Sequence, residues 1–455
     1  MKESKKSNFW KSSRILILSF IFIILLGSIL LALPQSVVGE RLSIIDSVFT
    51  ATSAACVTGL IVVDTSTKFT EFGQLIILIL IQLGGLGIMT FSTFFIFLVI
   101  GKFSISDRDV IQETLIQSPI KNLAGLLKAI FLFTIIIEAI GAVALSIRFM
   151  QQMPLKDALI HGVFHSISAF CNAGFSLNQN SFINYQGDLI INFTLIVLII
   201  SGGLGFIVLH ELRKFLLNRR RNKETSFSFH TKVVLRISAI LIVCGFLIFL
   251  FFEQGNVLFQ QSLKNKFLIS LFQSVTCRTA GFNTVDISLL TNSTLFFMTF
   301  LMFIGASPGS CGGGVKTTTA SVLVAMLAVR FKNRDDVNIA NRRIPEDIVS
   351  RALSITFFSV FIIVTATILL MTFEQGGISH QESRGLFLES FFEVISAFGT
   401  VGLSTGLTAK LSAIGKGIII ATMFVGRIGP LTIALAIGKK EKTRFKYAQE
   451  KILIG

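Results

Sequence analysis

Seven apolar runs of roughly bilayer length constrain this chain more than any other feature; they lie at 15–33, 74–100, 129–147, 189–209, 237–252, 352–373 and 411–437. A hydrocarbon core about 30 Å thick needs roughly 20 apolar residues in helix to be crossed. An eighth stretch, 289–329, is too long for one simple crossing and is interrupted by Gly305-Ala306-Ser307-Pro308-Gly309-Ser310-Cys311-Gly312-Gly313-Gly314. It reads as one crossing broken in mid-membrane. Hydrophobic residues make up 52% of the chain and charged ones 15%, where an ordinary soluble domain carries about 25% charged. That balance excludes a soluble multidomain enzyme, a disordered chain and a disulfide scaffold. Lys5, Lys6 and Lys11 before the first run suggest a signal peptide, but a signal core spans about 7–15 residues. This run is longer, and it completes the repeat described below, so it is expected to be a retained span.

The net charge is +16, which taken alone suggests a nucleic-acid partner. Its distribution argues against one. With the N-terminus placed in the cytoplasm and the spans alternating, the inner segments (1–14, 101–128, 211–236, 330–351, 438–455) hold 29 Lys and Arg against 12 Asp and Glu. The outer segments hold 9 against 12. Membrane proteins keep their excess of Lys and Arg in cytoplasmic loops, so both termini are expected to be cytoplasmic, and no nucleic acid is needed. Cysteines stand at 56, 171, 244, 277 and 311 without CxxC or His/Cys metal spacing. No transition-metal site and no disulfide framework is expected.

The spans pair around short segments that resemble one another. Val48-Phe49-Thr50-Ala51-Thr52-Ser53-Ala54-Ala55-Cys56-Val57-Thr58-Gly59 aligns with Val163-Phe164-His165-Ser166-Ile167-Ser168-Ala169-Phe170-Cys171-Asn172-Ala173-Gly174. Leu271-Phe272-Gln273-Ser274-Val275-Thr276-Cys277-Arg278-Thr279-Ala280-Gly281 and Phe391-Phe392-Glu393-Val394-Ile395-Ser396-Ala397-Phe398-Gly399-Thr400-Val401-Gly402 complete the set. Phe, a hydroxyl residue and a terminal Gly recur, with the glycines 115, 107 and 121 residues apart. Gly84-Gly85-Leu86-Gly87 is echoed by Gly202-Gly203-Leu204-Gly205. The expected fold is therefore an all-α polytopic membrane protein. Four helix–pore loop–helix (M1–P–M2) repeats would stand in pseudo-fourfold arrangement around a central pore. Boundaries are expected at 1–14 (N-terminus), 15–105, 106–210, 211–329 and 330–437 (repeats), and 438–455 (C-terminus). Non-helical backbone at membrane depth survives only where protein or water satisfies it. Glycine accepts φ > 0, which lets successive carbonyls face one axis and replace a cation's hydration shell. The blander alternative, glycines that only allow close helix packing, accounts poorly for four matched copies outside the spanning helices.

The units Thr58-Gly59, Asn172-Ala173-Gly174-Phe175, Arg278-Thr279-Ala280-Gly281-Phe282 and Gly399-Thr400-Val401-Gly402-Leu403-Ser404 resemble the four filters of the Trk/Ktr/HKT potassium transporter superfamily, over nearly the whole chain. Eight spans without two further N-terminal helices are similar to the KtrB/KtrD-like membrane subunit rather than to TrkH. The resemblance implies potassium uptake across a bacterial plasma membrane, often sodium-stimulated. It also implies a homodimer of separate pores on a cytoplasmic RCK-type (KtrA/KtrC-like) ring that binds a nucleotide, ATP or ADP. A K+ filter is then expected at Val57, Thr58, Gly59, Asn172, Ala173, Gly174, Thr279, Ala280, Gly281, Thr400, Val401 and Gly402. Glycine at all four filter positions resembles the potassium-selective form.

Segment 305–316 cannot be a stable straight helix, given its Gly, Ser and Pro content. Gly305, Ser307, Gly309, Gly312, Gly313, Gly314 and Lys316 are expected to form a gate below the filter; the alternative is a passive kink. Gly309 to Thr317 partly matches a phosphate-binding loop, but Val315 breaks the spacing and no strand precedes it. Arg427 lies mid-span, where an ionisable residue is a functional candidate by default. The resemblance places it beside the gate loop, and an off-axis structural pairing is the alternative. Asp64 and Asp286, each five residues past a filter Gly, are candidates for attracting cations in the outer vestibule or for plain helix caps. Thr50, His165, Gln273 and Glu393 are expected to buttress the short helices, and Arg278 to point away from the pore. Glu138 suits helix packing or a dimer interface as well as an ion path. Cys56, Cys171 and Cys277 are expected as packed thiols. Arg219-Arg220-Arg221-Asn222-Lys223 with Arg330, Lys332, Arg334, Arg342 and Arg343 suits anionic lipid or an acidic cytoplasmic partner. The expected function is a potassium uptake subunit, not an enzyme. A rocking secondary cation transporter is the rival, though that class repeats twofold.

Overall fold

The computed structural model describes residues 2–87, 123–220, 226–333, 336–379, 381–430 and 432. Among the described residues the chain is helical, with one small antiparallel pair, Asn338–Ile339 with Arg342–Arg343. The longer helices are α1 (Lys2–Leu31), α2 (Ile44–Ala55), α3 (Glu71–Leu86), α4 (Leu123–Phe149), α5 (Leu155–Phe170), α6 (Leu189–Leu204) and α7 (Phe206–Arg220). They continue with α8 (Phe229–Phe252), α9 (Leu263–Thr276), α10 (Asn292–Phe303), α11 (Thr317–Phe331), α12 (Glu346–Gln375), α13 (Leu386–Gly399) and α14 (Ala413–Ile428).

Among the described residues, three helical segments are long and apolar enough to cross a membrane: Lys128–Phe149, Phe229–Phe252 and Glu346–Gln375. The outward faces of these and of α1 and α6 are apolar. Phe22, Ile29, Ile140, Phe193, Phe251 and Phe357 are 65–74% exposed, a pattern that suits lipid and not water. The short helices are the reverse. The recurring phenylalanines Phe49, Phe164, Phe272 and Phe392 are at most 2% exposed. They belong to two apolar clusters that hold α2, α5, α9 and α13 inside the bundle.

Each short helix packs against the helix before it (α1–α2, α4–α5, α8–α9, α12–α13) and against a helix from elsewhere in the chain. Those second contacts are α3 with α5, α6 with α9, α10 with α13, and α14 with α2, so they run in a closed cycle. Lys416 of α14 pairs with Asp46 of α2 at 2.6 Å across the join between chain end and beginning.

Three expected spans end early. The run 189–209 is not one helix: α6 stops at Leu204, Gly205 takes φ +94°, and α7 departs at 107°. In the run 411–437, α14 stops at Ile428 before Gly429, φ +93°. In the run 74–100, α3 stops at Leu86 before Gly87, φ +80°. A left-handed glycine ends a helix at little steric cost, so the apolar runs outlast the helices. The interruption expected only in 289–329 does occur there, between α10 and α11, and equivalent stops occur in the other three. Residues 88–122, 221–225, 334–335, 380, 431 and 433–455, with Arg221, Lys223, Arg334, the boundary at 105/106 and the C-terminal segment, lie outside the described residues.

Candidate functional site

Each short helix ends in a three-residue turn with the same backbone. Val57, Asn172, Thr279 and Thr400 are left-handed, with φ of 57°, 59°, 69° and 49°. Two residues later Gly59, Gly174, Gly281 and Gly402 are again at positive φ, 89°, 70°, 80° and 91°. Left-handed and ordinary backbone thus alternate through each turn. Left-handed non-glycine residues cost energy and persist where surroundings over-determine them, commonly at functional sites.

The four turns meet. A Cβ at Gly59 would press on Ala173 O and stand 3.0 Å from Gly174 Cα. One at Gly174 would stand 2.9 Å from Ala280 O and 3.0 Å from Gly281 Cα. One at Gly281 would press on Val401 O and stand 3.3 Å from Gly402 Cα; one at Gly402 would press on Thr58 O and stand 3.0 Å from Gly59 Cα. The glycines therefore close a ring, with a carbonyl of the neighbouring turn at each contact. Val57, Thr58, Asn172, Ala173, Thr279, Ala280, Thr400 and Val401 are fully buried.

Hydroxyls from the short helices fasten the ring. Ser53 Oγ donates to Leu60 O (2.7 Å) and accepts the Gly59 N–H (3.1 Å). Ser168 Oγ donates to Phe175 O (2.8 Å) and Thr276 Oγ1 to Phe282 O (2.6 Å). Ser396 Oγ accepts the Gly402 N–H at 3.1 Å. These are the recurring hydroxyls, whose task was not apparent from spacing alone. Ser396→Ala leaves the Gly402 N–H buried without an acceptor, at about 1–3 kcal/mol. It is expected to lower thermal stability and ion discrimination, with Ser396→Thr restoring both, as read by melting and competitive cation uptake.

A second set of polar groups holds the chain leaving the second, third and fourth turns. Glu393 accepts from Ser404 Oγ (2.7 Å), the Thr405 N–H (2.8 Å) and the Thr408 hydroxyl. His165 Nε2 accepts the Leu177 N–H at 3.1 Å, and Nδ1 faces His161 O at 2.8 Å. That pairing requires the proton on Nδ1. Gln273 Nε2 donates to Thr284 Oγ1 at 3.3 Å. Thr50, at the matching position, is buried. Arg278 turns away from the ring and donates to Ser238 Oγ of α8 at 3.0 Å. Asp64 and Asp286 cap short helical turns: Asp64 accepts from Ser66 N and Thr67 N, both at 2.9 Å, and Asp286 from Ser288 N at 2.9 Å. Glu138 meets Gln82 Nε2 at 3.3 Å, joining α4 to α3. Cys56, Cys171 and Cys277 are buried caps of α2, α5 and α9.

Segment 305–316 lies against one side of the ring. Gly305 N bonds Val315 O (2.9 Å), which closes the segment on itself. Ser307 N and Cys311 N bond Gly203 O (3.0 Å) and Gly202 O (3.2 Å), two carbonyls at the end of α6. Helix ends leave such carbonyls without partners. Phe206 N returns a bond to Gly309 O at 2.9 Å. A Cβ at Gly312 would press on Thr279 Oγ1, and one at Gly314 would stand 3.3 Å from Gly399 Cα. Lys316 Nζ donates to Gly312 O at 2.7 Å. Arg427, near the end of α14, donates to Cys311 O of the segment and to Gly84 O in the last turn of α3. One guanidinium thus joins the segment to two helix ends, where carbonyls carry partial negative charge.

Residues 2–446 match the family described as TrkH, cation transport protein. The Ktr system potassium uptake protein B of Bacillus subtilis (strain 168) is 40% identical over 444 residues, 97% of this chain and 96% of that protein. The potassium/sodium uptake protein NtpJ of Enterococcus hirae is 36% identical over 441 residues, 96% of this chain and 95% of that one. The crystal structure of the potassium transporter TrkH from Vibrio parahaemolyticus superposes with a TM-score of 0.73 at 19% identity, over 94% of this chain and 85% of that chain. That last likeness concerns the fold.

Proposed function

Because the chain belongs to the TrkH family of cation transport proteins, we propose that it takes up potassium through the ring of Gly59, Gly174, Gly281 and Gly402. Four M1–P–M2 units surround one pore, each contributing a turn. A potassium ion sheds water at the mouth and is received by carbonyls of Val57 to Gly59, Asn172 to Gly174, Thr279 to Gly281 and Thr400 to Gly402. The observation that carries this assignment is the closed ring of left-handed glycines with a neighbour's carbonyl at every junction. The cyclic packing of the short helices supports it, as does potassium in the names of the relatives. A rocking transporter needs two exchangeable halves, which four like turns around one axis do not supply. Asp64 and Asp286 add negative charge on the outer side.

Below the ring, segment 305–316 obstructs the exit, held by Arg427 and Lys316. The membrane potential drives entry, at about 2.3 kcal/mol per charge per 100 mV. Sodium stimulation is part of the proposal, supported by the name of NtpJ. So are a homodimer, cytoplasmic termini in a bacterial membrane, and a cytoplasmic nucleotide-binding subunit docked on the basic inner face. The full chain in liposomes is expected to pass potassium and rubidium well above sodium. Cation entry no faster than in empty liposomes, with and without the co-purifying cytoplasmic protein, would overturn the proposal.

A further inference from the structure

Thr400 is a β-branched residue at φ +49°, a conformation such side chains adopt least readily. Its N–H is satisfied locally, by Ala397 O at 3.1 Å. Its hydroxyl reaches elsewhere: Oγ1 accepts the Gly313 N–H at 3.0 Å, a buried bond between residues 87 apart in sequence. The segment is shaped to that contact. A Cβ at Gly313 would press on Thr400 Oγ1 and stand 2.8 Å from its Cγ2. Thr279 occupies the matching left-handed position of the third turn, φ +69°, and Gly312 packs on its hydroxyl. Consecutive glycines therefore seat the segment on consecutive turns of the ring. Val57, the matching residue of the first turn, has no hydroxyl, and no such contact is made there.

We propose that Thr400 is the positioning residue that couples the 305–316 segment to the ion-facing ring. The Gly313 N–H holds the fourth turn in its left-handed form, so withdrawal of the segment frees Thr400 and changes which ions the ring accepts. Coupling is reciprocal: an ion that fits the ring steadies the seated segment. This inference rests on the transport function proposed above, and it deepens that function by naming the link between gate and selectivity.

The test compares Thr400→Val with Thr400→Ser in the full chain. Valine already occupies the left-handed conformation at Val57, φ 57°, so the backbone tolerates it. Amide exchange of the peptide covering 305–316 is expected to quicken about fivefold or more in Thr400→Val, the change that leaving one buried N–H without its acceptor brings. Thr400→Ser is expected to exchange like the parent. Potassium is expected to slow exchange in the parent and in Thr400→Ser, and to leave Thr400→Val unaffected. In liposomes, Thr400→Val is expected to lower the potassium-to-sodium flux ratio severalfold, with Thr400→Ser restoring it. Equal exchange in parent and Thr400→Val, or equal changes in the valine and serine variants, would overturn the coupling. If exchange responds as expected while no form of the chain passes cations, the coupling stands and the transport function fails.

Discussion

Gly59→Ser is expected to lower potassium-over-sodium discrimination at least tenfold while leaving the chain folded. Two effects add. At φ +89° an L side chain is strained by about 1–2 kcal/mol. The new Cβ also meets backbone, Ala173 O and Gly174 Cα, rather than the end of a flexible side chain. The ring must therefore shift, and every 1.4 kcal/mol of altered preference between two ions is about tenfold. Gly39→Ser separates the two effects, because Gly39 has φ +76° with nothing within 4 Å. It carries the strain without touching the ring, and its flux ratio should match the parent's. Bi-ionic flux in liposomes reads both. An unaltered ratio in Gly59→Ser, or the same loss in Gly39→Ser, would remove the filter assignment.

Arg427→Ala is expected to raise potassium flux tenfold or more and to weaken its dependence on a cytoplasmic partner. The guanidinium donates to Cys311 O and Gly84 O, and hydrogen bonds from a charged group contribute about 1.5–3 kcal/mol each. Losing both frees the segment from α3 and, on the proposed gating, removes a positive charge from the ion path. Arg427→Lys keeps the charge but not the planar fork, so it should fall between the two. Deletion of 309–313 removes the Cys311 carbonyl from the other side and should raise flux as well. Unchanged uptake in both Arg427→Ala and the deletion would show that 305–316 is not a gate.

The two halves of the site differed in how much the sequence disclosed. The three-residue turns were legible because a backbone requirement leaves a compositional mark: a left-handed bend needs glycine, and four glycines after matched Phe and hydroxyl positions stand out. The interrupted stretch at 305–316 was legible for the same reason, since Gly, Ser and Pro cannot sustain a helix. Breaks at Gly87, Gly205 and Gly429 were not read, although two of them close a GGLG motif. The apolar run continues past each glycine, and hydropathy does not register where a helix ends. Tertiary partners were the least legible. Nothing local to Gly313 points to Thr400, or local to Arg427 to Gly84. Those bonds depend on how helices distant in sequence are brought around one axis. Asp64 and Asp286 show the opposite case, where spacing drew the eye and the carboxylates also serve as caps of short turns.

The most direct measurement of the central claim is anomalous diffraction from crystals of the full chain grown with rubidium or thallium in place of potassium. The account predicts a peak on the common axis of the four turns, ringed by the carbonyls that precede Gly59, Gly174, Gly281 and Gly402. A featureless axis with ordered cations bound elsewhere in the bundle would contradict it.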